Sequence, residues 1–151
     1  MRLLIQRVKR ASVIVNGNVN DKREIKQGMC VFIGVTHGDI EKNADWLAEK
    51  MTGLRIFEDN DGKINLSLND LSEGGEVLLV SQFSLYASCA KGRRPGFSDA
   101  AKPDEAERIY NYFVEKVQGM GLKKVATGEF GADMEVEIIN DGPLTFIIDS
   151  I

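Results

Sequence analysis

The sequence predicts an α+β domain in which a mostly antiparallel sheet, curled toward a β-barrel, carries two main helices. Three observations predict it. The first third holds short β-branched runs that end at Asn16-Gly17, a dipeptide suited to the tight turn of a hairpin. Two stretches, one after Asp39 and one after Pro103, repeat apolar residues at intervals of three and four, which is the helical period. The last third alternates Met134, Val136 and Ile138 with Glu135 and Glu137, the period of a half-buried strand.

In chain order, Leu3 to Val15 and Asn18 to Ile25 are expected to flank the Asn16-Gly17 turn as strands. Met29 to Val35 does not alternate, so it is expected to be buried on both faces. Asp39 is expected to cap a helix whose inner face carries Ile40, Ala44, Leu47 and Met51. Leu54 to Phe57 and Ile64 to Leu66 then flank the acidic loop Glu58 to Gly62. That loop lacks the twelve-residue ligand ladder of a calcium site and reads as a hairpin loop. After Leu68 to Leu71 and the Gly74-Gly75 break, Glu76 to Val80 forms a buried strand. Pro103 suits the first position of the second helix, whose apolar face runs through Ala106, Ile109, Tyr110, Phe113, Val114 and Val117 to Gly119. Strands at Lys123 to Thr127, Met134 to Ile139 and Leu144 to Asp149 close the chain.

Residues 1–151 fit one domain, with no internal repeat and no linker. No apolar run approaches the roughly 20 residues of a membrane helix, and Met1 to Arg7 meets charge too early for a signal peptide. A cytoplasmic protein with no membrane contact is expected. Cys30 lies in an apolar run and Cys89 in a polar loop, so no disulfide framework is indicated. One histidine, His37, and no Cys-x-x-Cys pair leave the usual zinc ligand sets without members. No metal or cofactor is expected, although carboxylate-bound magnesium is formally open. His37 itself reads as a turn residue bonded to backbone. A net charge of -4 argues against general coating of nucleic acid, which leaves the local cluster Lys91-Gly92-Arg93-Arg94 as the basic feature.

Three stretches serve neither strand nor helix. Ser81-Gln82-Phe83-Ser84 emerges where a buried strand leaves the core, and polar groups on a rigid strand end make a reaction platform. Arg93 and Arg94, in a glycine-flanked loop that ends at Phe97, suit phosphates through their forked donors, and the aromatic ring suits a base. Asn140-Asp141-Gly142-Pro143-Leu144-Thr145 reads as a turn between two strands, with a Gly-Pro bond open to the cis form.

Taken together, Ser81-Gln82-Phe83-Ser84-Leu85-Tyr86, Gly92-Arg93-Arg94-Pro95, Thr127-Gly128-Glu129-Phe130-Gly131-Ala132-Asp133-Met134 and Asn140-Asp141-Gly142-Pro143-Leu144-Thr145 resemble the D-aminoacyl-tRNA deacylase family. Met1-Arg2 and Gln6-Arg7-Val8 fit as well. The likeness spans essentially the whole chain in the expected order. It implies a cytoplasmic homodimer that hydrolyses the ester between a D-amino acid, or glycine mischarged on alanine tRNA, and the 3′-terminal adenosine of tRNA. It also implies that Gly142-Pro143, with a cis bond, enters the partner's pocket and faces the α-amino group with its carbonyls. Ser81-Gln82-Phe83 forms the opposite wall, and no metal is needed.

These implied roles have a physical form. The backbone N–H of Phe83 is placed to stabilise the oxyanion, Gln82 to orient substrate or water, and the carbonyls of Gly142 and Pro143 to leave room for hydrogen or a D side chain only. Phe130, Ala132 and Met134 are expected to line the adenine pocket, and Arg93 and Arg94 to meet tRNA phosphates. Ser84 replaces the family's usual threonine and keeps the hydroxyl. As a nucleophile it would need a base such as His37; the resemblance favours assistance by the ribose hydroxyl, so Ser84→Ala is expected to keep most activity. Two rivals stay open from the residues alone: a nucleic-acid-binding module without hydrolysis, and a serine-dependent hydrolase of small esters.

Overall fold

The computed structural model describes residues 1–151. In chain order its elements are β1 (Arg2–Val15), β2 (Arg23–Ile25), β3 (Gly28–Gly34), α1 (Glu41–Thr52), β4 (Phe57–Glu58), β5 (Ile64–Leu66), β6 (Glu76–Ser81), α2 (Pro103–Gln118), β7 (Lys124–Thr127) and β8 (Met134–Asp149). Short 3₁₀ turns cover Val19–Asp21, Leu68–Asp70 and Phe83–Tyr86.

Strand β1 organises the sheet. On one side it pairs antiparallel with β3 through its first half and with β2 through its second, and along its other side it pairs with β8. Asn16 and Gly17, with φ of 49° and 68°, have the left-handed conformations that a tight turn after β1 requires. The α+β class, the two helices and the curled sheet agree with expectation, but the sheet is mixed. β3 runs parallel to β6, and β6 parallel to β7, because each of these connections passes through a helix that returns the chain to the same end. Arg23 of β2 then donates to the carbonyls of Thr127 (3.0 Å) and Gly128 (3.3 Å) at the end of β7. That contact nearly closes the curl.

Two cores use the two faces of β3 and β6. Met29, Val31, Ile33, Val77 and Leu79 face the helices, while Cys30, Leu78 and Val80 face the interior with Val8, Ala11, Val13 and Val15. This explains why neither strand alternates. The helix stripes follow expectation except at their margins: Ala44, Leu47 and Met51 of α1 and Ile109, Phe113 and Val117 of α2 are buried, the larger of these side chains contributing about 1.5–3 kcal/mol each, whereas Ile40 lies before the helix and is exposed and Val114 is half-buried.

Four local expectations change. Asp39 does not cap α1, which starts after Ile40, whose N–H donates to Asn43 Oδ1 at 3.0 Å. The Asp39 carboxylate instead accepts from the solvent-excluded Met1 ammonium (2.5 Å) and from the Thr36 N–H (2.8 Å), because a buried cation demands a partner more strongly than a helix N–H that water can reach. The segment before Ile25 is a 3₁₀ turn followed by three strand residues rather than one long strand. Of Leu54 to Phe57, only Phe57 enters a strand, and that strand runs on to Glu58. Finally, Met134–Ile139 and Leu144–Asp149 are parts of one strand, β8, not two strands joined by a turn. Its register against β1 slips, with Thr145 opposite Gln6 and Asn140 opposite Val8. Asp141 to Leu144 therefore bulge from the edge opposite the single residue Arg7, which satisfies them without reversing the chain.

No helix is long and apolar enough to cross a membrane.

Candidate active site

The parallel strands β3, β6 and β7 end at one edge of the sheet, where the chain leaving β6 and the chain leaving β7 diverge. A crevice forms at such carboxyl ends. Here it is a cavity of about 580 Å³ walled by Ser81, Gln82 and Phe83 after β6, by Phe130, Ala132 and Met134 after β7, and by Pro103 and Ala106 at the start of α2. All six residues of the first two groups line it, and all six were expected at the site.

The platform after β6 is rigid for a local reason. The Gln82 N–H donates to the Ile33 carbonyl at 2.8 Å, which extends the β3–β6 ladder by one residue. The chain then winds into the Phe83–Tyr86 turn, held by Leu85 N–H to Gln82 O (3.3 Å) and Ala87 N–H to Ser84 O (3.0 Å). Phe83 opens this turn, and the first N–H groups of a helical turn find no acceptor inside it. The Gln82 side-chain amide donates to Ser84 Oγ at 2.5 Å. His37, the one imidazole, is bonded through Nε2 to the Ser98 carbonyl at 2.8 Å, so it serves the loop, as expected of a turn histidine.

The opposite wall is fixed from both sides. Gly128 N–H donates to Leu79 O at 2.9 Å, and Asn16 and Asp133 exchange bonds of 2.8 and 3.2 Å. The Phe130 ring lies 5.9 Å from that of Tyr110. Tyr110 donates to the Leu79 carbonyl at 3.2 Å, and burial pushes its hydroxyl up to about 12, so it is a neutral structural donor at any ordinary pH.

Arg93 and Arg94 lie outside the cavity, exposed in a loop clasped by mutual backbone bonds between Ser88 and Gly96 of 2.8 and 2.9 Å. From Ser88 to Phe97 the loop carries Lys91, Arg93 and Arg94 and no acidic residue. Phe97 ties it to the cavity mouth by packing on Phe83 at 4.9 Å between ring centroids.

Gly142 and Pro143, joined by a cis bond, are exposed and do not line the cavity of their own chain. Measured along β8, Val136 at the cavity and Gly142 are separated by up to about 20 Å of strand. The bulge is nonetheless held firmly. Arg7, buried in the sheet, donates to the carbonyls of Asp141 (2.9 Å) and Ile56 (2.8 Å) and lies 3.3 Å from the Asp141 carboxylate. Asn140 Nδ2 donates to Arg7 O (2.9 Å) and Leu144 O (3.2 Å).

A profile of the family described as D-Tyr-tRNA(Tyr) deacylase matches residues 4–149. The chain belongs to this deacylase family. A D-aminoacyl-tRNA deacylase of Desulfotalea psychrophila is 55% identical over 150 residues, covering 99% of this chain and 97% of that one. Its counterpart in Bacillus cereus is 53% identical, with 99% of each chain covered. Among solved structures, the c-Myc DNA unwinding element binding protein superposes with a TM-score of 0.90 at 38% identity, over 100% of this chain and 99% of that chain. A probable eukaryotic D-amino acid tRNA deacylase shares the fold, with a TM-score of 0.82 at 20% identity and 98% of each chain covered.

Several residues that build the cavity and the bulge escaped the sequence reading. Pro103 and Ala106 were assigned only to a helix, since nothing local says where its first turn lands. Arg7 carried a detectable signal, a cation inside an apolar strand, whose partners lie 49 and 134 positions away.

Proposed function

We propose that the protein hydrolyses the ester of D-aminoacyl-tRNA at a site completed by a second copy of the chain. The observation that carries this reading is that the two walls built from Ser81-Gln82-Phe83 and from Phe130, Ala132 and Met134 meet in one cavity, while Gly142-Pro143, exposed in the bulge of β8, does not line the cavity of its own chain. β8 pairs with β1 alone and shows Ile139 (39% exposed) and Ile147 (63% exposed) on either side of that bulge, an apolar surface that a homodimer interface would cover.

In this reading the terminal adenosine lies against Phe130, Ala132 and Met134, which places the ester at the Gln82-Phe83 wall. Attack on the ester carbonyl builds an oxyanion to which the Phe83 N–H donates, Gln82 orients the attacking water, and the neighbouring ribose hydroxyl takes part in proton transfer to the departing ribose oxygen. The partner's Gly142 and Pro143 carbonyls meet the α-amino group and stand where an L side chain would be. Glycine has no side chain to reject, so glycine mischarged on alanine tRNA passes the same check. Editing before protein synthesis places this activity in the cytoplasm.

Ser84 is a partner of Gln82 rather than a nucleophile. A neutral hydrogen bond is worth about 0.5–1.5 kcal/mol, so Ser84→Ala is expected to slow single-turnover deacylation by no more than about tenfold. Complete loss of turnover in an intact dimer would restore the nucleophile.

Arg93 and Arg94 supply phosphate contacts beside the mouth. Arg93→Ala with Arg94→Ala is expected to weaken tRNA binding and flatten the plot of log affinity against log salt, each lost contact reducing the slope by about 0.7–0.9. Unchanged affinity and slope would remove the loop from the tRNA interface.

The deciding assay compares D-tyrosyl-tRNA, L-tyrosyl-tRNA and a small D-tyrosine ester. Release of tyrosine from the first alone is expected. Binding without release would make the protein a nucleic-acid-binding module, and hydrolysis of the small ester that depends on Ser84 would make it a serine esterase.

A further inference from the structure

The Phe83–Tyr86 turn is pinned at both ends by strands other than β6, from which it emerges. At its start, Gln82 is held by Ile33 of β3. At its far end lies Arg2, the first residue of β1. Arg2 Nη1 donates to the Leu85 carbonyl at 3.1 Å, and the guanidinium stands 5.0 Å from the Tyr86 ring centroid, within cation–π range.

Three neighbouring strands build this clip. Arg2 is the cross-strand partner of Gly34 on β3 and of Asp149 on β8. Asp149 fixes the guanidinium by accepting from Nε at 2.7 Å and from Nη2 at 3.1 Å, which leaves Nη1 aimed at the turn. Gly34 is the floor: a Cβ there would lie 3.0 Å from Leu85 Cβ and 3.1 Å from Tyr86 Cδ2. The turn therefore rests on bare backbone and is held down by a cation.

We propose that Arg2 is a positioning residue for deacylation, acting through Leu85 and Tyr86 to hold Gln82 and the Phe83 N–H in their working geometry. This rests on the reading of the turn as the oxyanion wall. Arg2 does not line the cavity, so its effect belongs to the chemical step and not to substrate binding. A planar fork can grip a carboxylate and still present a third donor in a fixed direction; a lysine cannot.

The test is steady-state kinetics on D-tyrosyl-tRNA together with thermal melts. Arg2→Ala is expected to lower kcat about 10- to 100-fold, the scale of a misplacement near 1 Å, with KM within about twofold of wild type. Arg2→Lys keeps the charge and the pairing with Asp149 and is expected to show the same kcat loss at near-native Tm. Gly34→Ala, which lifts the turn from below, is expected to reproduce it. Wild-type kcat in Arg2→Lys, or a kcat in Gly34→Ala equal to that of the wild type, would overturn the proposal. Should Arg2→Ala not fold, Arg2→Lys and Gly34→Ala decide alone. Comparing Phe83→Pro with Phe83→Ala separates the two layers: equal rates in that pair refute the oxyanion wall itself, whereas unequal rates beside an unaffected Arg2→Lys refute only the role of Arg2.

Discussion

Phe83→Pro is expected to hydrolyse D-tyrosyl-tRNA about 100- to 1,000-fold more slowly than Phe83→Ala, the usual consequence of removing one oxyanion donor. Both variants remove the ring and its packing against Phe97, so the comparison isolates the N–H wherever the backbone already suits proline. Proline is tolerated where a helical turn begins, because the N–H it lacks has no partner inside the turn. Gln82, the residue before it, has φ of -148° and ψ of 86°, outside the helical region that a following proline disfavours. The two proteins should therefore fold alike and differ in kcat, not KM. Equal rates in single-turnover deacylation would remove the Phe83 N–H from the chemistry and leave the turn as a wall without a charge-stabilising role.

Gly142→Ala should be the second large effect. A Cβ at this position would lie 2.0 Å from the Leu144 nitrogen and 2.8 Å from Asn140 Oδ1, and neither atom is free to yield. Leu144 belongs to the bulge backbone, and the Asn140 amide is engaged with Arg7 O and Leu144 O. The bulge must rebuild. Gly142 and Pro143 are exposed, so the stability cost should stay near that of ordinary overpacking, about 1–3 kcal/mol. For a chain of this size that is roughly 2–12 °C in Tm. The functional cost should be larger. Displacing the carbonyls by about 1 Å is expected to lower kcat/KM for D-tyrosyl-tRNA about 100-fold and to narrow the preference for D over L.

Mixing the two variants tests the sharing of the site. If each pocket takes its turn from one chain and its Gly142-Pro143 from the other, a mixed dimer of Phe83→Pro and Gly142→Ala contains one intact pocket, and activity returns on mixing the inactive parents. If Gly142-Pro143 works within its own chain, no combination of subunits is intact and nothing returns. Wild-type kcat/KM and wild-type D over L ratio in Gly142→Ala would discard the role of the motif altogether.

The sequence by itself determined the elements with strong local signals. The two helix stripes follow from apolar residues at three and four, the turn after β1 from Asn16-Gly17, and the double burial of β3 and β6 from runs that do not alternate. It also marked Ser81-Gln82-Phe83 as polar groups at a strand end, whereas Phe130, Ala132 and Met134 were marked only through the resemblance of Thr127 to Met134 to the deacylase family. Local patterns could not decide which strands run parallel, since direction depends on where α1 and α2 return the chain. Nor could they decide that the two halves of β8 form one strand: a glycine and a proline read as a turn, and only Arg7, buried opposite and bonded to Asp141, makes them a bulge. Asp39 likewise reads as a helix cap until the Met1 ammonium is placed beside it. The convergence of residues 81–83 with residues 130–134, and the clip of Arg2 on Leu85, join positions about 50 and 80 apart in the chain. Such contacts are set by the curl of the sheet, whose twist and closure are properties of all its strands together and of no single stretch.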